Sequence, residues 1–205
     1  MIRRALPGLA VAALVALGGC VTLFPKETPV PLYRFGDTVQ ATPASGPSFA
    51  VRNAGLSFDQ AASGDAIVTV TGDQVAYVSG GRWAAPAPMM FSAAVQRGFE
   101  ASGGQVRLIQ PGEAGQARYV MRLAVTHFEA RYDNGPTAAP TVVVTLHASL
   151  TKSSDQGFAG AQEFRASVPA SDNRVGAIAE AFDQATSQVV GQAVGWVEQT
   201  GAGGS

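Results

Sequence analysis

The sequence predicts an α+β domain: a two-layer fold in which an antiparallel or mixed β-sheet carries two main helices packed on it. Three observations carry this. Three long runs in the second half alternate apolar and polar residues with period two, the pattern of strands with one buried face. Phe91, Val95 and Phe99 recur every four residues, and a longer apolar face runs from Ile178 to Val197, which marks two helices. Hydrophobic residues make up 46% of the chain against 14% charged, enough to build a core without a disulfide, since Cys20 is the single cysteine.

The chain begins with an export signal. Arg3 and Arg4 precede an apolar run from Ala5 to Leu17, interrupted only by Pro7 and Gly8. A helix of that length spans about 20 Å, short of the roughly 30 Å of a hydrocarbon core, so it reads as a signal peptide and not a membrane span. Leu17-Gly18-Gly19-Cys20 reads as a lipobox, with small residues giving access to the scissile bond. Residues 1–19 are expected to be removed, and Cys20 to carry a covalent diacylglycerol and an N-acyl chain; no other cofactor is expected. One acyl chain alone binds a membrane only marginally, so several make a stable anchor. Val21 follows the cysteine, where an Asp would favour retention in the inner membrane. Residues 20–31 then form a tether with Pro25, Pro29 and Pro31, extended at about 3.1 Å per residue.

The domain proper is expected over residues 32–199. Leu32 to Phe35 reads as a short strand, and Ser48 to Val51 as another after a Thr/Pro/Ser/Gly-rich loop. Ala66 to Thr71 and Gln74 to Val78 flank Gly72-Asp73 and form a hairpin. Ser79 to Pro88 reads as a loop into the first helix, with Pro86 or Pro88 in its first turn and Gly103-Gly104 ending it. Gln105 to Ile109 is a short strand. Tyr119 to Thr126, Val142 to Thr151 and Glu163 to Val168 are the three alternating strands, joined by turn residues at Asp133–Pro140 and Ser153–Gly157. Ser171, Asp172 or Asn173 can cap the second helix, whose polar face carries Asp183, Gln184, Gln188 and Gln192. Residues 200–205 read as a flexible tail.

Charge excludes some functions. Loss of the signal leaves 12 basic residues against 15 acidic ones, a net charge of −3. Such a balance is no footprint for nucleic acid, and it predicts no basic patch for anionic headgroups. His127 and His147 lie on predicted strands with no metal-ligand spacing, so no metal site is expected. No P-loop or G-x-S-x-G elbow occurs.

The residues resemble a known family. The lipobox Cys20 is followed by Leu32-Tyr33-Arg34-Phe35, the hairpin, and Gly81-Arg82-Trp83-Ala84-Ala85-Pro86-Ala87-Pro88 leading a helix. Then come Ala117 to Leu123, Phe128, Ala181-Phe182-Asp183-Gln184-Ala185 and Trp196-Val197. This order resembles the auxiliary lipoprotein component of ABC-type transport systems, the PqiC-like family, over roughly Leu32 to Val197. Its most specific piece is Tyr77 to Pro88; the family often has adjacent prolines there, and Ala87 separates them here. The resemblance implies a non-catalytic, outer-membrane lipoprotein that faces the periplasm from the inner leaflet. It implies a membrane contact through the lipid, partners among MCE-domain proteins and ABC permease and ATPase subunits, room for a homo-oligomer, and no enzyme activity. A periplasmic lipid-binding carrier or chaperone is the alternative, and a periplasmic enzyme with a polar cleft at His127 or His147 a third.

Tyr77, Arg82, Trp83 and Pro86 are the candidate partner surface, because an aromatic flanked by an arginine is a common interface anchor. The competing reading makes Trp83 a cap on the core with Pro86 packed on it.

Overall fold

The computed structural model describes residues 29–38, 48–103 and 105–203. The stretch expected to be a signal peptide, Cys20 and most of the expected tether lie outside them. The described chain runs β1 (Leu32–Tyr33), β2 (Phe49–Phe58), β3 (Ala66–Thr71), β4 (Gln74–Trp83), α1 (Ala87–Ala101), β5 (Val106–Ile109), β6 (Tyr119–Arg131), β7 (Thr141–Lys152), β8 (Phe158–Pro169) and α2 (Val175–Gly203). All eight strands join one mixed sheet, and both helices pack on it, as the sequence predicts.

Strand β6 organises the sheet. One edge pairs antiparallel with β7, which pairs antiparallel with β8. The other edge is shared: β2 runs parallel to residues Tyr119 to Val125, and β3 runs parallel to Ala130 and Arg131. Phe58 ends β2; Asp59 then donates its N–H to the Val125 carbonyl at 2.9 Å, and its carboxylate accepts from the N–H of Ala61 at 2.8 Å. That turn lets the chain re-enter the same edge as β3. Strand β5 extends the sheet beyond β2, while β4 and then β1 extend it beyond β3.

The period-two reading of β6 holds through Val125 and then shifts. Val125 faces Leu146 and His127 faces Thr145, so Thr126 is an extra residue in the ladder. This bulge moves the buried face from Tyr119, Met121, Leu123 and Val125 to Phe128 and Ala130 without exposing a core residue. Two further irregularities correct the sequence reading. β2 is ten residues long, not four, because Gly55 (φ +122) and the Asn53 side chain, which accepts from the N–H of Gly55 at 2.9 Å, carry it through a bulge. β4 continues to Trp83 where a loop was expected, the ladder breaking between the Tyr77 and Arg82 pairs. Gly80 takes φ +86 in that break. A Cβ on Gly81 would come within 2.5 Å of Val175 and 2.9 Å of Tyr33, so only glycine lets α2 and β1 close there.

Helix α1 starts as expected, with Pro86 as N-cap and Pro88 in the first turn, and Phe91, Ala94, Val95 and Phe99 buried. Gly103, at φ +77 just past the C-cap Ser102, stops it. Helix α2 begins at Val175, so none of Ser171, Asp172 and Asn173 immediately precedes it. Asn173 instead accepts from the Tyr132 hydroxyl at 2.7 Å and donates to the Pro136 carbonyl at 3.2 Å. The helix also runs on through Gly203, into the stretch read as a tail. Gly201 is buried there beneath the Phe49 ring.

Both helices pack on one sheet face, α2 across β7 and β8, and α1 against α2, β5 and β2. Between them sits an aromatic cluster centred on Phe128. Its ring lies 4.6 Å from Phe182, 5.0 Å from Phe35, 5.3 Å from Phe58, 6.1 Å from Trp83 and 6.3 Å from Phe91. These rings come from α1, α2, three strands and the segment after β1. Each such pair adds about 0.5–1.5 kcal/mol beyond its area burial, so the cluster ties the two halves of the chain together. Among the described residues, no helix packs on the other face of the sheet.

Candidate functional site

The segment Tyr77 to Pro86 is where the N-terminal chain enters the domain. Arg82 donates its N–H to the Pro31 carbonyl at 3.1 Å, and Ala84 to the Tyr33 carbonyl at 2.8 Å. β1 therefore adds to the end of β4 in parallel, Leu32 beside Arg82 and Tyr33 beside Trp83. Trp83 donates its N–H to the Asp65 carbonyl at 2.7 Å, and Arg82 pairs with the Asp65 carboxylate at 2.9 Å. That ion pair is exposed on both sides and contributes at most about 1 kcal/mol.

Of the four candidate interface residues, three reach solvent. Tyr77 is 57% exposed and bonds the Ala61 carbonyl through its hydroxyl at 3.3 Å; Arg82 and Pro86 are exposed too. Trp83 is withdrawn from any partner: it is 2% exposed, with its ring against Phe35 at 4.9 Å and Phe182 at 5.2 Å. The period-two alternation of β4 turns its side chain inward while Arg82 turns outward. Trp83 thus belongs to the hydrophobic core, whereas Pro86 is exposed.

His127 and His147 are exposed on their strands. His127 lies 3.3 Å from the Thr126 hydroxyl, and His147 meets the Glu163 carboxylate at 3.0 Å across β7 and β8. Among the described residues no group of three or more His, Cys, Asp and Glu side chains could hold a metal, and no helix is long and apolar enough to cross a membrane.

The helix-free face carries a feature that the net charge hid. A groove of about 840 Å³ lies over the start of β6, lined by Arg52, Arg118, Arg122 and Lys152 together with polar residues of the β7–β8 turn. The register explains the convergence. Arg52 sits beside Val120, and Val120 beside Thr151, so one outward row crosses β2, β6 and β7. Arg122 lies two residues past Val120 on the same face of β6, about 6.6 Å away, and Arg118 immediately precedes the strand. The expectation of no basic patch therefore fails: three strands and the residue just before β6 bring four cations together although the chain is net acidic. A second groove of about 520 Å³ adjoins the first at Arg122, and small and apolar residues line much of it, among them Ala54, Gly55, Leu56 and Ala124.

Comparison with known proteins places this architecture. The family described as the ABC-type transport auxiliary lipoprotein component matches residues 36–194. The chain belongs to this family. Among solved structures it is similar to protein XCC0632 from Xanthomonas campestris, of the family DUF330, with 30% identity, a TM-score of 0.73, and coverage of 83% of this chain and 95% of that one. A hypothetical protein from Chlamydia trachomatis shares the fold at 11% identity and a TM-score of 0.52, with 75% and 97% of the two chains covered. The comparison with curated proteins gives no match. The auxiliary lipoprotein family match agrees with the resemblance drawn from Tyr77 to Pro88 and from Ala181 to Ala185. It also gives those stretches a structural meaning, since they hold Trp83 and Phe182 of the aromatic cluster.

Proposed function

We propose that this protein is a non-catalytic auxiliary and tethering subunit of an ABC/MCE-type intermembrane lipid-transport system. It is anchored through acylated Cys20 to the inner leaflet of the outer membrane and faces the periplasm. The observation that carries the reading is the auxiliary-lipoprotein family match, which takes in nearly all of the described domain. The edge where β1 joins β4 supports it, because the chain leading from Cys20 enters beside the exposed Tyr77, Arg82 and Pro86. A transporter subunit docking there would engage the domain next to its anchor.

The test is affinity purification of the tagged full chain from a host that carries the transporter genes. Co-purification of an MCE-domain protein with permease and ATPase subunits is the expected result. Tyr77→Ala with Arg82→Ala is expected to weaken it at unchanged melting temperature, and Cys20→Ala to release a folded protein from the membrane fraction. Repeated absence of those subunits, with no lipid-transport defect on gene deletion, would sink the proposal. The alternative of a lipid carrier or chaperone is favoured by one observation, the paired grooves on the helix-free face. A carrier would retain phospholipid through purification, detectable by mass spectrometry of an organic extract.

A further inference from the structure

We propose that β8 is a self-pairing edge, on which a second copy of this chain docks and continues the sheet through a two-fold axis at Phe164. β8 is 12 residues long and pairs with β7 alone among the described strands, so its outer edge is open. On the opposite side of β6 the sheet ends on much shorter strands, the 4 residues of β5 and the 2 of β1. Open edges are usually blunted by a lysine, a proline or a bulge. β8 holds no lysine and no proline before Pro169, and its ladder with β7 is regular from Gly160 to Pro169.

The backbone and the side chains together choose the occupant and its register. Ala170 donates its N–H to the Pro140 carbonyl at 2.9 Å, which fixes the phase of the ladder. Residues that bond one neighbour alternate along an antiparallel strand. Phe164, Ala166 and Val168 therefore turn their N–H and C=O groups toward β7, and their side chains are buried. Ala161, Glu163, Arg165 and Ser167 turn theirs to the open edge, and their side chains are exposed. The stretch from Ala161 to Ser167 has a small residue at each end, Phe164 at its centre, and Glu163 and Arg165 on either side of it. An antiparallel second copy centred on Phe164 sets Glu163 opposite Arg165 of the second copy, and Ala161 opposite Ser167 of the second copy, each pair occurring twice by symmetry. These outward residues exchange hydrogen bonds in that register. The neighbouring registers that keep the phase centre on Glu163 or on Arg165 and put like charges face to face, which destabilises. Glu163 already meets His147 at 3.0 Å, whereas Arg165 makes no ion pair among the described residues. Exposed charge pairs are weak, so they select the register and the backbone bonds hold the strands. On the helix face the axis sets the two Phe164 side chains opposite each other, each 6.0 Å from its own partly buried Trp196 ring. Each copy spends its one β8 edge, so the pair is closed and does not grow further.

The test is the oligomeric state of the full chain, expressed with its N-terminal segment and purified in neutral detergent micelles, read by sedimentation velocity with the detergent density-matched. A dimer is expected for the wild type. Glu163→Arg and Arg165→Glu each put like charges opposite each other across the axis, and each should weaken the dimer about tenfold or more. An unchanged circular dichroism spectrum verifies the fold of each variant. The double exchange Glu163→Arg/Arg165→Glu should restore the dimer. Mixing the two single variants should give a heterodimer, since every opposed pair in it is again of opposite charge. Ser167→Pro removes an outward N–H that β7 does not use, so it should weaken the dimer and leave the fold intact. A monomer at every concentration, a ring of more than two copies, or a dimer indifferent to these substitutions would overturn the proposal. So would a Ser167→Pro chain that keeps its second copy but no longer co-purifies with transporter subunits, because the edge would then belong to a different partner. The wild-type co-purification is read separately, so a monomeric chain leaves the proposed function standing.

Discussion

Gly201→Ala and Gly195→Ala should move stability in opposite directions, although both sit in the same helix. By intrinsic propensity alone each should gain up to about 1 kcal/mol, since glycine is the weaker helix former. Their surroundings differ. A Cβ on Gly195 meets nothing within 4 Å, whereas one on Gly201 would lie within 2.6 Å of three atoms of the Phe49 ring. The nearest ring atom would be at 2.0 Å and ordinary contact starts at 3.4 Å, so that ring must move by about 1.4 Å. It is held edge-on to Tyr119, 5.8 Å away and buried. Overpacking of this kind costs about 1–3 kcal/mol. Set against the propensity gain, the net loss for Gly201→Ala is about 1 kcal/mol, while Gly195→Ala gains up to about 1 kcal/mol. For a domain of this size each kcal/mol moves Tm by about 2–4 °C. Urea melts followed by circular dichroism on the mature chain would measure both. Phe49→Ala should remove most of the difference between the variants, because it takes away the atoms in conflict. Equal stabilisation by the two alanines would refute the docking of the α2 terminus on β2.

Three further predictions follow from named contacts. Trp83→Ala should lower stability by about 3–5 kcal/mol, as for a large buried aromatic; a loss under 1 kcal/mol in a denaturant melt would contradict its place in the cluster. Asp183 accepts from the N–H of Gly36 and from the Thr38 hydroxyl at 2.7 Å, while Arg97 donates to the Gly36 carbonyl at 2.9 Å; Asp183→Ala should cost about 1–3 kcal/mol and speed amide exchange at residues 36–38, and unchanged exchange would show the clamp to be idle. Burial pushes the Glu198 carboxyl above its ordinary 4.5, opposed by the Ser102 hydroxyl. A folded-state value raised in this way favours the fold below pH 4.5, and that contribution is lost as pH rises through the raised value. Glu198→Gln should therefore be more stable than wild type at pH 7 and should flatten the decline above pH 4.5; stability curves that stay parallel across that range would contradict it.

Much of the fold could be read from the residues because burial and periodicity coincide there. Phe91, Val95 and Phe99 on α1, and Tyr119 through Val125 on β6, face the core as their spacing requires. The misreadings cluster where the backbone leaves a regular ladder. Gly55 and Gly80-Gly81 look like chain breaks in a sequence, yet here they keep β2 and β4 going through bulges. Asp183 reads as a solvent-face residue of α2 because its partners lie about 145 positions away. Gly201 reads as tail because glycine usually ends helices, and only Phe49 explains its burial. The candidate interface was visible as a segment, but strand alternation had to decide which of its side chains turn out. The basic groove was invisible for a different reason. Arg52, Arg118, Arg122 and Lys152 are dispersed through the sequence, and a net charge of −1 averages away what the sheet register concentrates.

Bulges in the sheet decide where the two surface features of this domain lie. A regular β6 would keep a single buried face and pair one neighbour along each edge. With Thr126 inserted, the strand keeps its core face while its far end turns to receive β3, so one edge serves both β2 and β3. That division separates two surfaces. The corner where β1 meets β4, and where the chain from Cys20 arrives, belongs to the β3 side. The basic groove belongs to the β2 side, and the Asn53–Leu56 bulge shapes its continuation by placing Ala54 and Gly55 in the wall of the second groove. By register, Leu32 is level with about residue 127 of β6, whereas the groove centres on Val120. The offset is roughly 20 Å along the strands and about 14 Å across three strand spacings. The corner where β1 meets β4 and the basic groove thus lie well apart on one sheet.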